Sequence, residues 1–325
     1  MKRLAAILAL AVTGLAQKPQ TPPPAVEDTL TIKVDVNLVN ILFSVRDKRG
    51  ALIPNLDKDD FTVFENGVQQ TLKNFGRENN QPLTIGLLVD VSGSQENLID
   101  EERRTSNMFF RKVLRPKDMA FVISFGSEAE LLQDYTNSLP LLRSGLDALR
   151  LNTQVGGIHP GPVPTASHPR GTILYDAVFL AAADKLKGEV GRKAIVLITD
   201  GMDQGSRVKL EKAVESAQKS DVIIYSIYYV DRRFAMMNRG YYANDSSLKK
   251  MSDETGGRVF HVDGRQTLDS IFNQIQDEMR SQYTMSYTST SSNRDGTYRK
   301  VEIRPQSKEL KVQARKGYYA TPGEN

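Results

Sequence analysis

Three oxygen-bearing side chains follow one strongly apolar stretch of the sequence. Asp90, Ser92 and Ser94 stand at alternate positions directly after the run at 83–89. Such a run is typical of a strand buried on both faces in a parallel sheet, and open α/β sheets bind ligands at the carboxyl ends of their strands. One carboxylate and two hydroxyl groups suit a small hard cation such as Mg²⁺. The spacing therefore predicts a metal site at the end of this strand.

Two later segments carry residues of the same chemical kind. Thr172 lies in a Gly-Thr-Ile-Leu-Tyr-Asp-Ala stretch that opens a helix, and Asp200 ends the apolar strand at 193–200. In order and context, these residues and the Asp-x-Ser-x-Ser motif at 90–94 resemble the metal-ion-dependent adhesion site (MIDAS) of von Willebrand factor type A (VWFA) domains. The resemblance covers about residues 81–282 and is to VWFA proteins of the secreted bacterial kind.

The resemblance implies a role for each of these residues. Ser92, Ser94 and Thr172 would contact a divalent cation through their hydroxyl oxygens, while Asp90 and Asp200 would act directly or through water. The cation would be Mg²⁺, with Mn²⁺ and Ca²⁺ as alternatives. Because a site with few charged ligands stays electrophilic, an Asp or Glu of a protein partner could complete the coordination. We therefore expect a binding or adhesion protein.

Each residue also has an ordinary structural interpretation when it is considered alone. An acid or a hydroxyl at such a position can cap a helix or stabilise a turn, and this applies to all five: Asp90, Ser92, Ser94, Thr172 and Asp200. If ordinary roles explained all five residues, their match to the family order would be a coincidence. The joint match therefore favours the metal site, although a motif match is only a hypothesis. A structural envelope component with a vestigial metal site is the alternative function.

Enzymatic function has weaker support in the sequence. Phosphotransferases with an aspartate nucleophile need a second acid two residues later, where this chain has Ser92. The residues around Ser92 do not form the Gly-x-Ser-x-Gly elbow of serine hydrolases. No acid partner can be assigned to His261, and His159 and His168 lie in a Pro-rich loop. We expect a protein that is not an enzyme, with a metal-dependent hydrolase as a further alternative.

The composition is that of an ordinary globular protein and excludes some functions. The 325 residues are 39% hydrophobic and 25% charged, and the formal net charge is +4. Two of these charges, on Lys2 and Arg3, lie in a segment expected to be removed. Because no stripe of Lys and Arg is interleaved with aromatic residues, we expect no nucleic-acid binding. Cysteine is absent, so a metal site must use oxygen or histidine ligands.

The first 30 residues have the features of an export signal and a linker. Residues 1–16 have a basic start, an apolar core and a small-residue end, which predicts a secretory signal peptide cleaved before Gln17. An uncleaved anchor is the alternative, but neither this run nor any later one has the ~20 apolar residues of a transmembrane helix. The Pro-rich tract at 17–30 predicts an extended linker. We expect an exported chain that is secreted, periplasmic or associated with the cell envelope.

Two β-rich pieces flank a region in which strands and helices alternate. The alternation over 81–282 predicts a doubly wound, mainly parallel α/β sheet, which is a Rossmann-like VWFA domain. Short alternating strands predict an N-terminal β module at 31–80 and C-terminal β strands at 283–320. Each piece alone has too few strands for a stable core, so we expect one β-sandwich into which the VWFA domain is inserted. Two independent β modules are the alternative.

Within the VWFA region, the apolar spacing predicts helices at 95–114 and 206–220. Residues 152–170 have no hydrophobic period and contain many Gly and Pro residues. They predict a long loop, which we expect close to the metal. Long loops in compact domains are usually functional or disordered.

Overall fold

The computed structural model describes residues 38–77, 81–151, 171–238, 241, 243–291 and 293–320. Several sequence predictions fall outside these residues: the signal peptide, the Pro-rich linker, the start of the N-terminal β module, and the loop at 152–170 with His159 and His168. They stay predictions.

Fourteen strands and seven α-helices lie in the described residues. The strands are β1 (Leu38–Asp47), β2 (Phe61–Glu65), β3 (Val68–Gln70), β4 (Leu72–Arg77), β5 (Leu83–Asp90), β6 (Met119–Phe125), β7 (Ala129–Thr136), β8 (Arg192–Thr199), β9 (Val222–Tyr228), β10 (Val259–His261), β11 (Tyr283–Thr288), β12 (Tyr298–Pro305), β13 (Leu310–Ala314) and β14 (Gly317–Tyr319). The helices are α1 (Ile99–Val113), α2 (Leu139–Asp147), α3 (Leu174–Leu180), α4 (Leu210–Lys219), α5 (Arg232–Met237), α6 (Ser246–Thr255) and α7 (Leu268–Arg280). A π-helical segment, Ala181–Leu186, continues α3. Among the helices of the described ranges, none is long and apolar enough to cross a membrane.

Six strands form one sheet in the order β10-β9-β8-β5-β6-β7. All neighbouring pairs are parallel except β6 and β7, which are antiparallel. Helices cover both faces, because α1, α2 and α7 contribute to one hydrophobic core and α3, α4 and α6 to another. The predicted fold class, a doubly wound and mainly parallel α/β sheet flanked by antiparallel β structure, is confirmed.

The two central strands, β5 and β8, are buried along their whole length. Their side chains alternate between the two cores, with Leu87 in one and Leu88 in the other. The parallel strands pair in register up to Val89 and Ile198, so both end at the same edge of the sheet. The residues that follow the two strands are therefore brought together at that edge.

Two antiparallel four-stranded sheets, β13-β1-β11-β4 and β14-β12-β2-β3, pack around a third hydrophobic core. Within the first sheet, β11 pairs with both β1 and β4, so strands from before and after the parallel sheet are neighbours. The rings of Phe43, Phe61, Phe75 and Tyr283 contact one another in this core, with centroids 5.1–6.3 Å apart. Such contacts stabilise a core beyond the area they bury. The predicted domain boundaries stay predictions.

A buried carboxylate on α7 joins the parallel sheet region to the sandwich. Glu278 is fully buried and accepts hydrogen bonds from Ser44 Oγ (3.1 Å) and Arg46 Nη2 (2.5 Å), both on β1. It also accepts one from Arg258 Nε (3.0 Å), directly before β10. Two guanidinium groups therefore surround one carboxylate, which is how a buried charge is tolerated in a folded protein.

The start of α1 differs from the sequence prediction. The helix expected at 95–114 begins only at Ile99, because Gly93–Gln95 form a 3₁₀ turn. The backbone N–H of Gln95 donates to the carbonyl of Ser92 (2.9 Å), which closes this turn. The delayed start keeps the two predicted serine ligands on a loop rather than on a helix.

The fourth helix also starts later than expected, and one helix was not predicted. The helix expected at 206–220 begins at Leu210, because Ser206 Oγ accepts the backbone N–H of Tyr175 (3.0 Å) at the start of α3. The short helix α5 had no clear apolar period. Asp231 caps it by accepting two of its backbone N–H groups.

Candidate metal centre

Asp90 is fixed at the end of β5 by hydrogen bonds to both of its carboxylate oxygens. Oδ1 accepts the backbone N–H of Ser92 (2.9 Å), and Oδ2 accepts the hydroxyl of Thr199 (2.6 Å). Thr199 is the last residue of β8, and its Oγ1 also accepts the backbone N–H of Gly201 (3.1 Å). Because Asp90 is fully buried, these bonds hold its carboxylate in one orientation at the sheet edge.

Asp200 and Ser94 are in direct contact although they are 106 residues apart in the sequence. Ser94 Oγ donates to Asp200 Oδ2 at 2.5 Å, and Ser92 Oγ lies 3.0 Å from Ser94 Oγ. The other carboxylate oxygen of Asp200 accepts the backbone N–H of Met202 (3.0 Å). The structure thus brings the two serines and Asp200 into one hydrogen-bonded group.

The turn after Asp200 requires a glycine. Gly201 has φ +80°, and a Cβ atom at this position would lie 2.3 Å from the carbonyl oxygen of Asn244. This left-handed conformation is readily adopted only by glycine. The close approach holds the turn against the segment between α5 and α6.

Thr172 lies in the loop before α3 and is buried. Its carbonyl accepts the backbone N–H groups of Gln204 (3.0 Å) and Gly205 (3.3 Å) in the loop that follows Asp200. The next peptide N–H of the Thr172 loop donates to the carbonyl of Gly126 (2.8 Å), directly after β6. These bonds place Thr172 at the same sheet edge as the other four predicted ligands. Within the described residues, its hydroxyl makes no hydrogen bond to those four.

Two residues at this edge were missed by sequence reasoning. Tyr241 Oη donates to Asp200 Oδ2 at 2.5 Å, which is the oxygen that also accepts the hydroxyl of Ser94. No motif in the sequence singled out this tyrosine. Thr199 orients Asp90, and a hydroxyl residue directly before the predicted ligand Asp200 was a signal that could have identified it.

Negative charge is concentrated at this edge of the sheet. Burial, followed by the negative charge of Asp200, raises the pKa of Asp90 to about 7, although hydrogen bonds from Ser92 and Thr199 act in the opposite direction. Burial and the hydrogen bond to Asp200 also raise the pKa of Tyr241. Because a nearby cation favours the charged form of a carboxyl group, a divalent ion here would relieve both effects on Asp90.

The donor set fits a hard divalent cation. Two carboxylates and the hydroxyl groups beside them offer only oxygen atoms, which Mg²⁺, Mn²⁺ and Ca²⁺ prefer. Across the described ranges, no group of three or more His, Cys, Asp and Glu side chains is placed to hold a metal. The predicted set does not require such a group, since it contains only two acids and relies on hydroxyl oxygens. The assignment of the five ligands stays a prediction.

The prediction that no acid partner could be assigned to His261 was wrong. His261 Nε2 lies 2.8 Å from Asp245 Oδ2, which also pairs with Lys249 Nζ (2.9 Å). Burial opposes a low pKa at Asp245, but the hydrogen bonds from Lys249 and His261 hold the pKa of this carboxyl below its ordinary value. The histidine side chain is 47% exposed, so it is part of a surface ion-pair network. That the chain is not an enzyme stays a prediction.

No family model matches the sequence, and no curated protein matches it. Similar solved structures include BatB of Bacteroides thetaiotaomicron, a conserved hypothetical protein, with 16% identity, a TM-score of 0.45, and coverage of 61% of this chain and 97% of BatB. Another is proximal thread matrix protein 1 from the mussel byssus, whose structure has a zinc-occupied MIDAS motif. It has 14% identity and a TM-score of 0.47, and the similarity covers 67% of this chain and only 50% of that protein.

A third similar structure is the VWA domain of SpRpn10, with 15% identity, a TM-score of 0.40, and coverage of 60% of this chain and 95% of that domain. Structural neighbours of this chain thus include VWA domains.

Proposed function

We propose that this chain is a binding protein that captures an acidic group of a protein partner through a divalent cation. The cation would be held by Asp90, Ser92, Ser94, Thr172 and Asp200. The observation that carries the proposal is the 2.5 Å contact between Ser94 Oγ and Asp200 Oδ2, because it joins two loops that follow different buried strands. Chance N-cap or turn roles would not require these side chains to meet.

The proposed chemistry follows from the charges of the ligands. When bound, the cation supplies an electrophilic position that a carboxylate can occupy. Asp90 and Asp200 together balance a charge of +2, so these two ligands leave no surplus negative charge to repel a carboxylate that enters the coordination of the ion. Thr199 and the backbone N–H of Ser92 hold Asp90 in place, which keeps the oxygen donors arranged before the ion arrives.

Export is a further part of the proposal, and it rests on the signal peptide predicted at residues 1–16. An exported chain would meet its partner in the extracellular space, the periplasm or the cell envelope. A non-catalytic role is part of the same proposal, since His261 and Asp245 belong to a surface ion-pair network with Lys249.

Isothermal titration calorimetry with Mg²⁺, Mn²⁺ and Ca²⁺ tests the metal site. The wild type should bind one ion that Ser94→Ala and Asp200→Asn weaken at least about tenfold, since each removes an oxygen or charge that would contact the ion. Asp100→Asn is a matched control, because its side chain is 95% exposed on α1. Equal affinity in all four proteins would contradict the proposed ligands.

Peptide display tests the capture of an acidic group. A random peptide library selected on the wild type in MgCl₂ and eluted with EDTA should be enriched in peptides with one essential Asp or Glu. Replacing this residue by Asn or Gln should abolish binding. Peptides that bind equally well after this replacement, or in EDTA, would contradict cation-mediated capture.

One observation favours a second candidate, a structural envelope component with a vestigial site. Asp200 Oδ2 already accepts two hydroxyl groups, from Ser94 and Tyr241, so the carboxylate is satisfied without a metal. The same calorimetry decides between the two. If the wild type binds none of the three cations, the structural role is supported.

A further inference from the structure

The buried face of α1 changes character along the helix. Glu102, Thr105 and Ser106 are fully buried in its first half, whereas the buried residues of its second half belong to an apolar core. Residues separated by three or four positions lie on the same face of a helix, so the three polar side chains are neighbours. We call these three, together with the fully buried Gln95, the α1 oxygen cluster.

Five buried atoms of the α1 oxygen cluster make no hydrogen bond within the described residues. They are Glu102 Oε1 and Oε2, Thr105 Oγ1, Ser106 Oγ and Gln95 Oε1. The amide nitrogen of Gln95 does donate to the carbonyl of Tyr229 (3.4 Å), so only its oxygen is left over. Buried polar atoms are nearly always partnered, because each unpartnered one loses its hydration without compensation. Five in one region indicate a bound species that they contact together.

The charges that shift the pKa of Glu102 are negative. Burial, followed by the carboxylates of Asp90, Glu101 and Asp200, raises the pKa of Glu102 well above its ordinary value. Of the lysines and arginines in the described part of the chain, none forms an ion pair or a hydrogen bond with Glu102. A species that brings positive charge would compensate these carboxylates, and one that prefers oxygen ligands would fit the five unpartnered atoms.

We propose that the α1 oxygen cluster binds a monovalent alkali cation, Na⁺ or K⁺. The cluster has one carboxylate, on Glu102, and its other donors are neutral, so a single positive charge leaves no buried excess of either sign. A proton on Glu102 would neutralise the charge but would leave most of the five oxygens without a partner. Water alone would supply partners and leave the charge. The alkali site uses none of the five proposed divalent ligands, and the charges of Asp90 and Asp200 act on it only from a distance.

Thermal unfolding at constant ionic strength tests the alkali site. In EDTA, replacing NaCl or KCl by choline chloride should lower the wild-type Tm, because choline is too large for the buried cluster. The expected shift is about 3 °C when the alkali cation is tenfold above its Kd. In Glu102→Gln this difference should vanish, and in choline the variant should unfold at a higher temperature than the wild type. Comparison of the Na⁺ and K⁺ series identifies which ion binds.

Two further variants keep the test specific. Glu96→Gln makes the same change at an exposed position and should keep the full Na⁺ or K⁺ effect. Ser94→Ala should weaken divalent binding in calorimetry at least about tenfold and keep the alkali effect, so failure of one proposal is distinguishable from failure of the other. An alkali effect that is absent from the wild type, or that persists in Glu102→Gln, would overturn the assignment. The assignment would also be overturned if the wild type in NaCl showed an infrared band of a protonated carboxyl group that is absent from Glu102→Gln.

Discussion

Two fully buried glutamates of this chain have opposite surroundings. Glu278, at the contact between α7 and β1, accepts hydrogen bonds from the guanidinium groups of Arg46 and Arg258. Glu102, on α1, accepts none within the described residues and is influenced by three other acids. Both side chains are 0% exposed, so the difference lies in their partners and not in their depth.

Glu278 is thus a carboxylate with charged partners in the chain, whereas Glu102 has none in the described residues. A buried acid between two arginines is complete within the chain and stabilises the contact between elements. A buried acid among other acids raises the free energy of the folded chain until a cation binds. Asp90 and Asp200, at the edge of the parallel sheet, resemble Glu102 in one respect, because the donors that they contact in the described residues are all neutral. Perturbed acids of this kind mark functional sites more often than structural ones.

The largest effect is expected at the paired glutamate. Glu278→Ala leaves the guanidinium groups of Arg46 and Arg258 close together without an anion. We expect the free energy of unfolding to fall by about 3 kcal/mol, the low end for a broken buried ion pair, since both arginines are partly exposed. Urea unfolding at 25 °C measures the change.

Glu309→Ala is the control for this prediction. Glu309 pairs with Lys48 at the surface, where both side chains are more than half exposed. Its loss should change stability by less than about 1 kcal/mol. If both variants lost the same amount, the buried pair would have no special structural role.

A somewhat smaller effect is expected from the pH at Asp90. Its folded pKa, about 7, lies above the ordinary value of 3.8, so the folded state holds the proton more tightly than the unfolded chain. The stability from this group is fully present below the ordinary value and is lost as the pH rises through the folded value. In EDTA, the wild type should lose about 2 kcal/mol more than Asp90→Asn between pH 5 and pH 8. Urea unfolding across this range measures the difference, and identical pH profiles would contradict it.

The smallest effect is expected at Tyr241. Its hydroxyl donates to the carboxylate oxygen of Asp200 that a divalent cation would contact, so it competes with the ion. Tyr241→Phe should tighten Mg²⁺ binding about fivefold, which corresponds to about 1 kcal/mol for one hydrogen bond. Calorimetry measures the affinity. Weaker Mg²⁺ binding in the variant would instead show that the hydroxyl helps to hold the ion.

The central strands could be predicted because their physical signal is local. The uninterrupted apolar runs that became β5 and β8 have no other stable location than the middle of a sheet covered on both faces. The acids that end these runs follow the strands to one edge, which is why the proximity of Ser94 and Asp200 was expected. The resemblance to a metal-ion-dependent adhesion site added the expectation that the loop of Thr172 lies at the same edge.

The features that were missed depend on tertiary contacts. Tyr241 reaches Asp200 only because the turn at Gly201 packs against the segment between α5 and α6. Glu102 could not be recognised from the pattern, since an unpaired charged residue is almost never fully buried and a periodicity analysis assigns it to the exposed face. Helix α1 starts later than expected because Gly93–Gln95 form a 3₁₀ turn, and the spacing of apolar residues does not predict such a turn.

The pairing of β4 with β11 has a consequence for how this architecture can be rebuilt. Arg77, the last residue of β4, is opposite Tyr283, the first residue of β11, so the chain departs and returns at points about 5 Å apart. A short turn could join these neighbours and leave both sheets of the sandwich intact. Conversely, the segment between them could be grafted onto an antiparallel strand pair of another scaffold that supplies partners for Glu278, and it would carry the edge with Asp90 and Asp200 with it.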